Sequence, residues 1–123
     1  MKTSELTGAA LDWAVAKCEG YTITSDGIST LIKKADRLLI LGTGSSPLNY
    51  SPSTNWAQGG RIIAQDIIDI FHMEREPPVF EAEIQTGPRK RAKGRGPTHL
   101  IAAMRCFVAS KIGDEIELPE ELT

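Results

Sequence analysis

The sequence predicts an α+β fold, a compact sandwich in which a small antiparallel sheet packs with two or three helices. Apolar residues recur at helical spacing near both ends of the chain, and short alternating runs bounded by Gly, Pro and Asp lie between them. The length of 123 residues is typical of one domain, which we expect to span 1–123, because a chain of this size buries a single core.

The first predicted element is a helix from about Ser4 to Cys18, where apolar and small residues follow helical spacing. Thr3 or Ser4 can cap its start and Gly20 can end it. Trp13 is the only large ring in this segment, and we expect it to lie on the buried side of the helix.

A β-hairpin is predicted next, because the β-type run Tyr21–Thr24 is followed by the turn signal Asp26-Gly27 and by alternation over Ile28–Ile32. A short helix over 29–35 is the alternative, since short apolar runs fit both periods. The continuous apolar run Leu38–Leu41 predicts a buried strand.

A phosphate-binding loop is a weak possibility at Leu38–Ser46, which reads as a strand that leads into glycines. The segment lacks the Gly-Lys-Ser/Thr ending of such loops, and Pro47 and Pro52 obstruct the helix whose amides would hold phosphate. We therefore predict an ordinary loop over Gly42–Pro52.

A second helix is predicted after this loop, capped by Ser53 or Thr54 and continuing from Trp56 to Ile70. Gly59-Gly60 inside it would cost about 1 kcal/mol each relative to Ala, and the alternative is two segments that break at the glycines.

The last strand is predicted at Val79–Ile84, after the Pro77-Pro78 connection, and 87–96 is predicted to be a loop. The clearest amphipathic pattern follows it, a helix from Pro97 or Thr98 to Ile112. The residues from 114 to 119 predict a short edge strand or an ordered tail.

Composition indicates a soluble cytosolic protein, with 41% apolar residues and 24% charged residues. No run approaches the roughly 18 apolar residues of a membrane span, and the first residues lack the features of a secretory signal. Cys18 and Cys106 have no neighbour at metal-ligand spacing, which predicts reduced thiols, no metal site and no cofactor.

Positive charge is concentrated in one stretch, because residues 85–113 contain seven basic residues and no acids. Five of them lie in 86–96, a basic loop that we expect to be mobile, just before the last helix. Cationic side chains beside free helix amides suit a phosphate or another anion. A solvated loop and contact with a nucleic-acid backbone are the alternatives. The candidate anion ligands are Arg89, Lys90, Arg91, Lys93, Arg95, Thr98 and His99.

No catalytic set is recognisable in the sequence. His72 and His99 are separated, and no Ser, Cys or Asp joins either at a spacing typical of acid–base or nucleophilic chemistry. Glu81 and Glu83 alternate on one predicted strand and share a face, which in an antiparallel sheet is usually the solvated one. We therefore predict a protein that binds and does not catalyse.

Three segments together resemble the NinX-like family of small proteins encoded by tailed phages of bacteria: 1–17, beginning MKTSELTGAALDW, 50–60, YSPSTNWAQGG, and 96–105, GPTHLIAAMR. His99 stands where relatives often have proline, and Phe80 where they often have tryptophan. The resemblance implies a phage origin, a compact α+β sandwich, and a dispensable accessory role during infection. It implies no catalytic residues.

Trp56, Gly59 and Gly60 lie in the central family segment and are candidates for ligand contact. Glycines allow a ligand or another backbone to approach closely, and a tryptophan offers a surface on which a base can stack. The alternative is that Trp56 packs in the core and the glycines admit a crossing element.

The functional hypothesis from the sequence is a non-enzymatic phage accessory protein in the host bacterial cytoplasm, acting as a sponge for a nucleotide-derived immune signal. We expect a homo-oligomer, because pockets between subunits enclose a small ligand better than one small surface. An interaction protein that inhibits a host enzyme or complex is one alternative, and a weak single-stranded nucleic-acid binder is another. We expect no membrane partner.

Overall fold

A computed structural model describes residues 1–44 and 46–122. Residue 45 of the predicted loop and residue 123 of the predicted domain therefore lie outside the described residues. The α+β class is confirmed. The described residues form helices α1 (Gly8–Cys18), α2 (Trp56–Gln65) and α3 (His99–Ile112) and strands β1 (Thr22–Ser25), β2 (Thr30–Lys34), β3 (Arg37–Leu41), β4 (Asn49–Tyr50), β5 (Asp69–Arg75), β6 (Pro78–Gly87) and β7 (Lys90–Gly96).

The strands form two sheets, where we predicted one. Strands β1 to β4 form a four-stranded sheet in chain order, and β5 to β7 form a three-stranded sheet. Helix α3 contacts β6 and β7 on one side and α1 on the other, and α1 also contacts β1 and β3. The two helices therefore lie between the sheets. Among the described residues, no helix has the length and apolar character needed to cross a membrane.

Helix α1 begins later than predicted. Thr3–Glu5 form a separate 3₁₀ turn, and Leu6 and Thr7 are extended before the helix starts at Gly8. The carbonyl of Leu6 accepts a hydrogen bond from Nε of Arg105 on α3 at 2.8 Å. This carbonyl therefore bonds to a side chain and not to a backbone amide of α1. Trp13 is 8% exposed and belongs to the main core, as expected.

The predicted hairpin is confirmed, with β1 and β2 antiparallel and Ile23 opposite Ile32. The carboxylate of Asp26 accepts hydrogen bonds from the amides of Ile28 and Ser29, at 2.9 and 2.6 Å, and so closes the turn. The helical alternative over 29–35 is wrong, because β2 pairs with β1 on one side and with β3 on the other. The apolar run fits both the helical and the strand period, and this pairing selects the strand.

Strand β3 forms where predicted, but it is not buried on both faces. Leu39 faces the interior, while Leu38 and Ile40 are 51% and 36% exposed. Helix α1 covers only one face of the sheet, and alternate side chains of a strand point to opposite faces. The loop predicted over 42–52 also contains the short strand β4, which runs parallel to β3.

Helix α2 is continuous through Gly59 and Gly60, and its cap differs from the prediction. Asn55 is the cap, and its side chain accepts a hydrogen bond from the amide of Gln58 at 3.2 Å. The segment 51–54 instead makes a tight turn, in which the amides of Thr54 and Asn55 donate to the carbonyl of Ser51. Ser53 and Thr54 therefore lie before the helix and do not cap it.

The second helix ends at Gln65, and the prediction that it continues to Ile70 is wrong. Ile67 adopts a left-handed backbone conformation with φ 51°, which stops the helix. Ile70 then lies in β5, a strand that the sequence analysis missed. Isoleucines at 63, 67 and 70 fit helical spacing by coincidence, because Ile67 is 79% exposed and contributes little to the core.

The predicted basic loop is also wrong over most of its length, because Lys90–Gly96 form strand β7, antiparallel to β6. Helix α3 lies almost directly on this strand. A Cβ at Gly94 would come within 2.7 Å of the carbonyl oxygen of Ala102, and one at Gly96 would approach Ile101 at 2.7 Å. The glycines read as loop residues are therefore where the helix needs space.

Candidate ligand-binding site

Trp56 and His99 are the first residues of α2 and α3, and their ring centroids are 5.9 Å apart. A cavity of about 260 Å³ lies where the two helices begin. Its walls combine hydroxyl groups, two rings and aliphatic side chains. The lining residues are Ser53, Thr54, Trp56, Thr98, His99, Leu100 and Ile101.

The two helix starts leave backbone donors at the cavity. The side chain of Thr98 accepts a hydrogen bond from the amide of Ile101 at 3.1 Å, as that of Asn55 does at the start of α2. In residues 1–44 and 46–122, the amides of Trp56, His99 and Leu100 have no hydrogen-bond partner. Neither helix has an acidic residue in its first turn, so the positive ends of both dipoles are uncompensated.

A row of rings extends from the cavity to the three-stranded sheet. His99 lies 4.0 Å from Phe80 between ring centroids, and Phe80 stacks on His72 at 4.9 Å. Phe80 is 8% exposed, whereas Trp56 at the other end is 59% exposed. The alternative that Trp56 packs in the core is therefore wrong, and its indole remains open to a ligand or a partner.

Asp12 of α1 holds the turn that forms one wall of the cavity. Its carboxylate is buried and accepts a hydrogen bond from the amide of Ser53 at 2.8 Å. Burial raises the pKa of Asp12 to about 6, and hydrogen bonding from Ser53 opposes this only in part.

Ser53 itself is 3% exposed. Its hydroxyl lies near enough to Asp12 to lower the pKa of that carboxyl, yet it makes no hydrogen bond of standard geometry within the described part of the chain. The oxygen itself is buried, so it lies beside Asp12 and is not open to the cavity.

The two candidate glycines differ in role. A Cβ at Gly59 would meet the carbonyl of Pro52 and lie 2.6 Å from Cδ2 of Leu100, so this glycine admits the crossing turn and α3. A Cβ at Gly60 would meet only the indole of Trp56, at an ordinary 3.7 Å. Gly59 therefore shapes the cavity by letting its two walls approach each other.

The basic residues lie elsewhere. Ala92, Gly94 and Gly96 of β7 face α3, so alternation directs Arg91, Lys93 and Arg95 to the opposite, solvated face. There Arg91 pairs with Glu83 at 2.8 Å, Lys93 with Glu83 at 3.6 Å, and Arg95 with Glu81 at 3.1 Å. Arg89 lies at the turn before β7 and Lys90 begins the strand, and both are exposed. Of the residues predicted from sequence, the structure brings together Trp56, Gly59, Gly60, Thr98 and His99, without the five cations.

Sequence reasoning missed four of the lining residues as ligand contacts: Ser53, Thr54, Leu100 and Ile101. The sequence predicts Ser53 and Thr54 only as helix caps, and Leu100 and Ile101 only as core residues. No sequence signal distinguishes these roles, because the turn before α2 becomes a wall only when α3 packs beside it.

A family model described as Bacteriophage P22, NinX matches residues 2–111. The chain belongs to this NinX family. No curated protein matches the chain significantly. NinX membership confirms the resemblance seen in the sequence and indicates a phage accessory protein. The matched region includes all seven lining residues and Asp12, and it ends within α3, so the tail after that helix lies outside the NinX match.

Proposed function

We propose that this NinX-family protein binds a nucleotide-derived immune signal in the host bacterial cytoplasm and withholds it from the host defence system. The observation that supports this most is the cavity between Trp56 and His99, where two uncompensated helix starts meet an open indole. Helix starts favour phosphate, and an indole favours a base.

The two parts of a nucleotide would bind different parts of this site. Stacking of a base on an aromatic side chain contributes about 1–3 kcal/mol and tolerates any base. Trp56 is 59% exposed and can offer one face of its ring. The unpaired amides of His99 and Leu100 then lie beside it as donors for phosphate oxygens.

We propose binding without turnover. His99 is the only titratable side chain among the seven lining residues. General acid–base catalysis with a single imidazole would need a nucleophile or a second acid within hydrogen-bond reach, and the lining offers only hydroxyls and apolar groups.

We also propose that the protein acts as a homo-oligomer. The cavity of about 260 Å³ is small beside the roughly 300–1,000 Å³ typical of ligand pockets, and it is open on the side of Trp56. A second copy that covers this side would enclose the ligand further. The exposed apolar face of β3, with Leu38 and Ile40, is available for contact between copies.

Native mass spectrometry after incubation with an extract of infected bacteria tests the function. We expect a retained mass of nucleotide size that is lost in Trp56→Ala. Phe71→Ala is the matched control, because Phe71 is an aromatic residue that is 46% exposed on β5 and does not line the cavity. Arg91→Ala shows whether the basic strand takes part. A spectrum of the wild-type protein without bound ligand would reject the sponge.

An interaction protein that inhibits a host enzyme or complex is the second candidate, favoured by the exposure of Trp56. Aromatic residues of this kind are enriched at binding hot spots. In that case a host protein would co-purify with the wild type and be lost in Trp56→Ala, and no small molecule would be retained.

A further inference from the structure

We propose that the protein has a second binding site, separate from the cavity between Trp56 and His99, in which Arg105 binds a carboxylate group of a ligand. This inference goes beyond the proposed function. A cavity of about 420 Å³ lies between the edge strand β7, helix α3 and the segments near the two ends of the chain. This volume is within the roughly 300–1,000 Å³ typical of ligand pockets. The charged residues of its lining are Lys2, Lys93, Arg105, Asp114 and Glu115.

Pairing between the two ends of the chain forms one wall of this cavity. The amide of Thr3 donates to the carbonyl of Asp114 at 2.9 Å, and the hydroxyl of Thr3 donates to the carbonyl of Gly113 at 3.0 Å. Lys2 and Glu115 lie opposite each other in an antiparallel bridge. Because these contacts join segments 110 residues apart, the wall forms only when the chain folds.

Two backbone carbonyls hold Arg105 in one orientation at this cavity. Its Nε donates to the carbonyl of Leu6 at 2.8 Å, and its Nη1 donates to that of Arg95 at 2.7 Å. A guanidinium group carries five N–H donors and two are used here, so three remain. In residues 1–44 and 46–122 Nη2 has no acceptor, and it is not enclosed by other atoms. The free donors are therefore accessible, and little side-chain freedom is lost when they bind a ligand.

Arg105 also lacks a counter-ion. Within the described part of the chain it makes no ion pair, although it is partly buried. Other arginines pair with carboxylates, namely Arg61, Arg91 and Arg95. The remaining arginines are exposed to solvent, namely Arg37, Arg75 and Arg89. Burial alone lowers the pKa of Arg105. An anion from outside the chain would stabilise a partly desolvated charge of this kind.

The charge of the lining favours a carboxylate over a phosphate monoester. Three cationic side chains and two carboxylates line the cavity, which leaves a net charge of one. Lys93 also lies 3.6 Å from Glu83, so the net positive charge is at most one. A carboxylate matches this charge, whereas a phosphate monoester carries about 1.5 to 2 negative charges near neutral pH. The planar fork of Arg105 also fits the two oxygens of a carboxylate.

Titration of the isotope-labelled protein with acetate, followed by NMR at the Nε–H of Arg105 and at the amides around it, tests this site. Inorganic phosphate, chloride and the uncharged acetamide are the other probes, all at one ionic strength and near neutral pH. We expect saturable binding of acetate, weaker binding of phosphate, and no saturable response to chloride or acetamide. No saturable response to acetate, or tighter binding of phosphate, would overturn the proposal.

Arg105→Lys keeps the positive charge and removes the planar fork, so acetate should bind about tenfold or more weakly. Arg89→Lys is the matched control, because Arg89 is exposed, makes no ion pair within the described chain and does not line the cavity. Unchanged affinity in Arg105→Lys would contradict the proposed role of the guanidinium.

Two further variants leave Arg105 and its hydrogen bonds in place, which keeps the test valid where Arg105→Lys unfolds the protein. Lys2→Gln should weaken acetate binding several-fold and Glu115→Gln should strengthen it, because they change the net charge of the lining in opposite directions. The same affinity in both variants as in the wild type would place acetate elsewhere and reject the site.

Two capped compounds identify the source of the carboxylate. N-acetyl-alanyl-alanine offers the C-terminus of a chain, and the α-amide of N-acetyl-glutamic acid offers an acidic side chain. The one that binds more tightly than acetate identifies its class, and acetate as the tightest of the three identifies a small carboxylic acid. Arg105→Lys should still retain the nucleotide-sized mass expected in native mass spectrometry, so the failure of either proposal is distinguishable from the failure of the other.

Discussion

Trp56 and His99 lie with their ring centroids 5.9 Å apart because two helices that are distant in the chain begin side by side. The buried carboxylate of Asp12 fixes the turn that leads into the first helix, and Gly59 allows that turn and α3 to approach. The arrangement therefore depends on the buried carboxyl group of Asp12 and on the absence of a side chain at Gly59. Substitution of either residue should change the stability of the protein.

Stability should depend on pH through Asp12. Its pKa is raised from 3.8 to about 6, so the folded protein binds a proton more readily than the unfolded chain. This contribution is fully present below about pH 4 and is lost as the pH rises through 6, by roughly 3 kcal/mol in total. Asp12→Asn keeps an oxygen that can accept from the amide of Ser53 and cannot ionise.

Urea denaturation of the wild type and Asp12→Asn between pH 4 and 8 measures this effect. The stability of the variant relative to the wild type should rise with pH across that window. Other titrating groups, such as Asp26 with its lowered pKa, are common to both proteins and cancel in the difference. A difference that stays constant with pH would show that Asp12 is not responsible.

The two helical glycines should respond in opposite directions to alanine. Gly59→Ala brings a methyl group against Pro52 and Leu100, and we expect a loss of about 1–3 kcal/mol from overpacking. Gly60→Ala meets only Trp56 at 3.7 Å and should stabilise helix α2 by about 0.5–1 kcal/mol. Chemical denaturation of both variants is the measurement, and equal effects would contradict the distinct roles of the two residues.

Ile67 is a β-branched residue in the left-handed region, with φ 51°. It follows the last turn of α2, where the amide of Ile68 donates to the carbonyl of Ile63 at 3.0 Å, the position at which glycine is usual. Because Ile67 is 79% exposed, Ile67→Gly loses little packing and should gain about 0.5–1 kcal/mol.

Ile67→Ala is the control for this substitution. It removes the exposed side chain and keeps the Cβ that disfavours a left-handed backbone, so it should gain less than Ile67→Gly in thermal denaturation. Destabilisation by glycine would mean that the Ile67 side chain makes a contact that outweighs its backbone strain.

Nucleic-acid binding should be weak in the wild type, because Glu81 and Glu83 pair with the three outward cations of β7. Replacing both with glutamine frees Lys93 and Arg95 and leaves Arg91 only its longer contact with Asp69, at 3.8 Å. We therefore expect tighter, more salt-dependent binding of single-stranded DNA in fluorescence anisotropy. Tight wild-type binding that falls in Arg89→Ala and Arg91→Ala, equally for all sequences, would instead support the nucleic-acid alternative.

Local signals in the sequence identified the hairpin, helix α3 and the central position of Trp13. The Asp26-Gly27 turn and the long amphipathic pattern before Gly113 depend on neighbours within a few residues, which is why they could be predicted. Strand β7 could not, because Gly94 and Gly96 resemble loop residues until α3 is known to need their space.

The sequence predicts some of the residues that line the candidate site and places the cations there wrongly. Trp56, Thr98 and His99 were identified from a ring, a cap and an imidazole near a helix start. The separation of the cations from these residues could not be predicted, because the glycines and charges of the basic run predict a loop. The run forms a strand instead, and adjacent positions of a strand point to opposite faces.

The sequence alone determined the α+β class, the NinX family and the residue types that can hold a base and an anion. Only the tertiary structure decided that Trp56 is exposed, that the hydroxyl of Ser53 is buried beside Asp12, and that Glu81 and Glu83 pair with three cations of the basic strand. Residue type and spacing in the sequence determine which chemical groups are present and which local structure they favour. Burial and pairing depend on contacts between residues far apart in the chain, and these follow from how the helices pack between the two sheets.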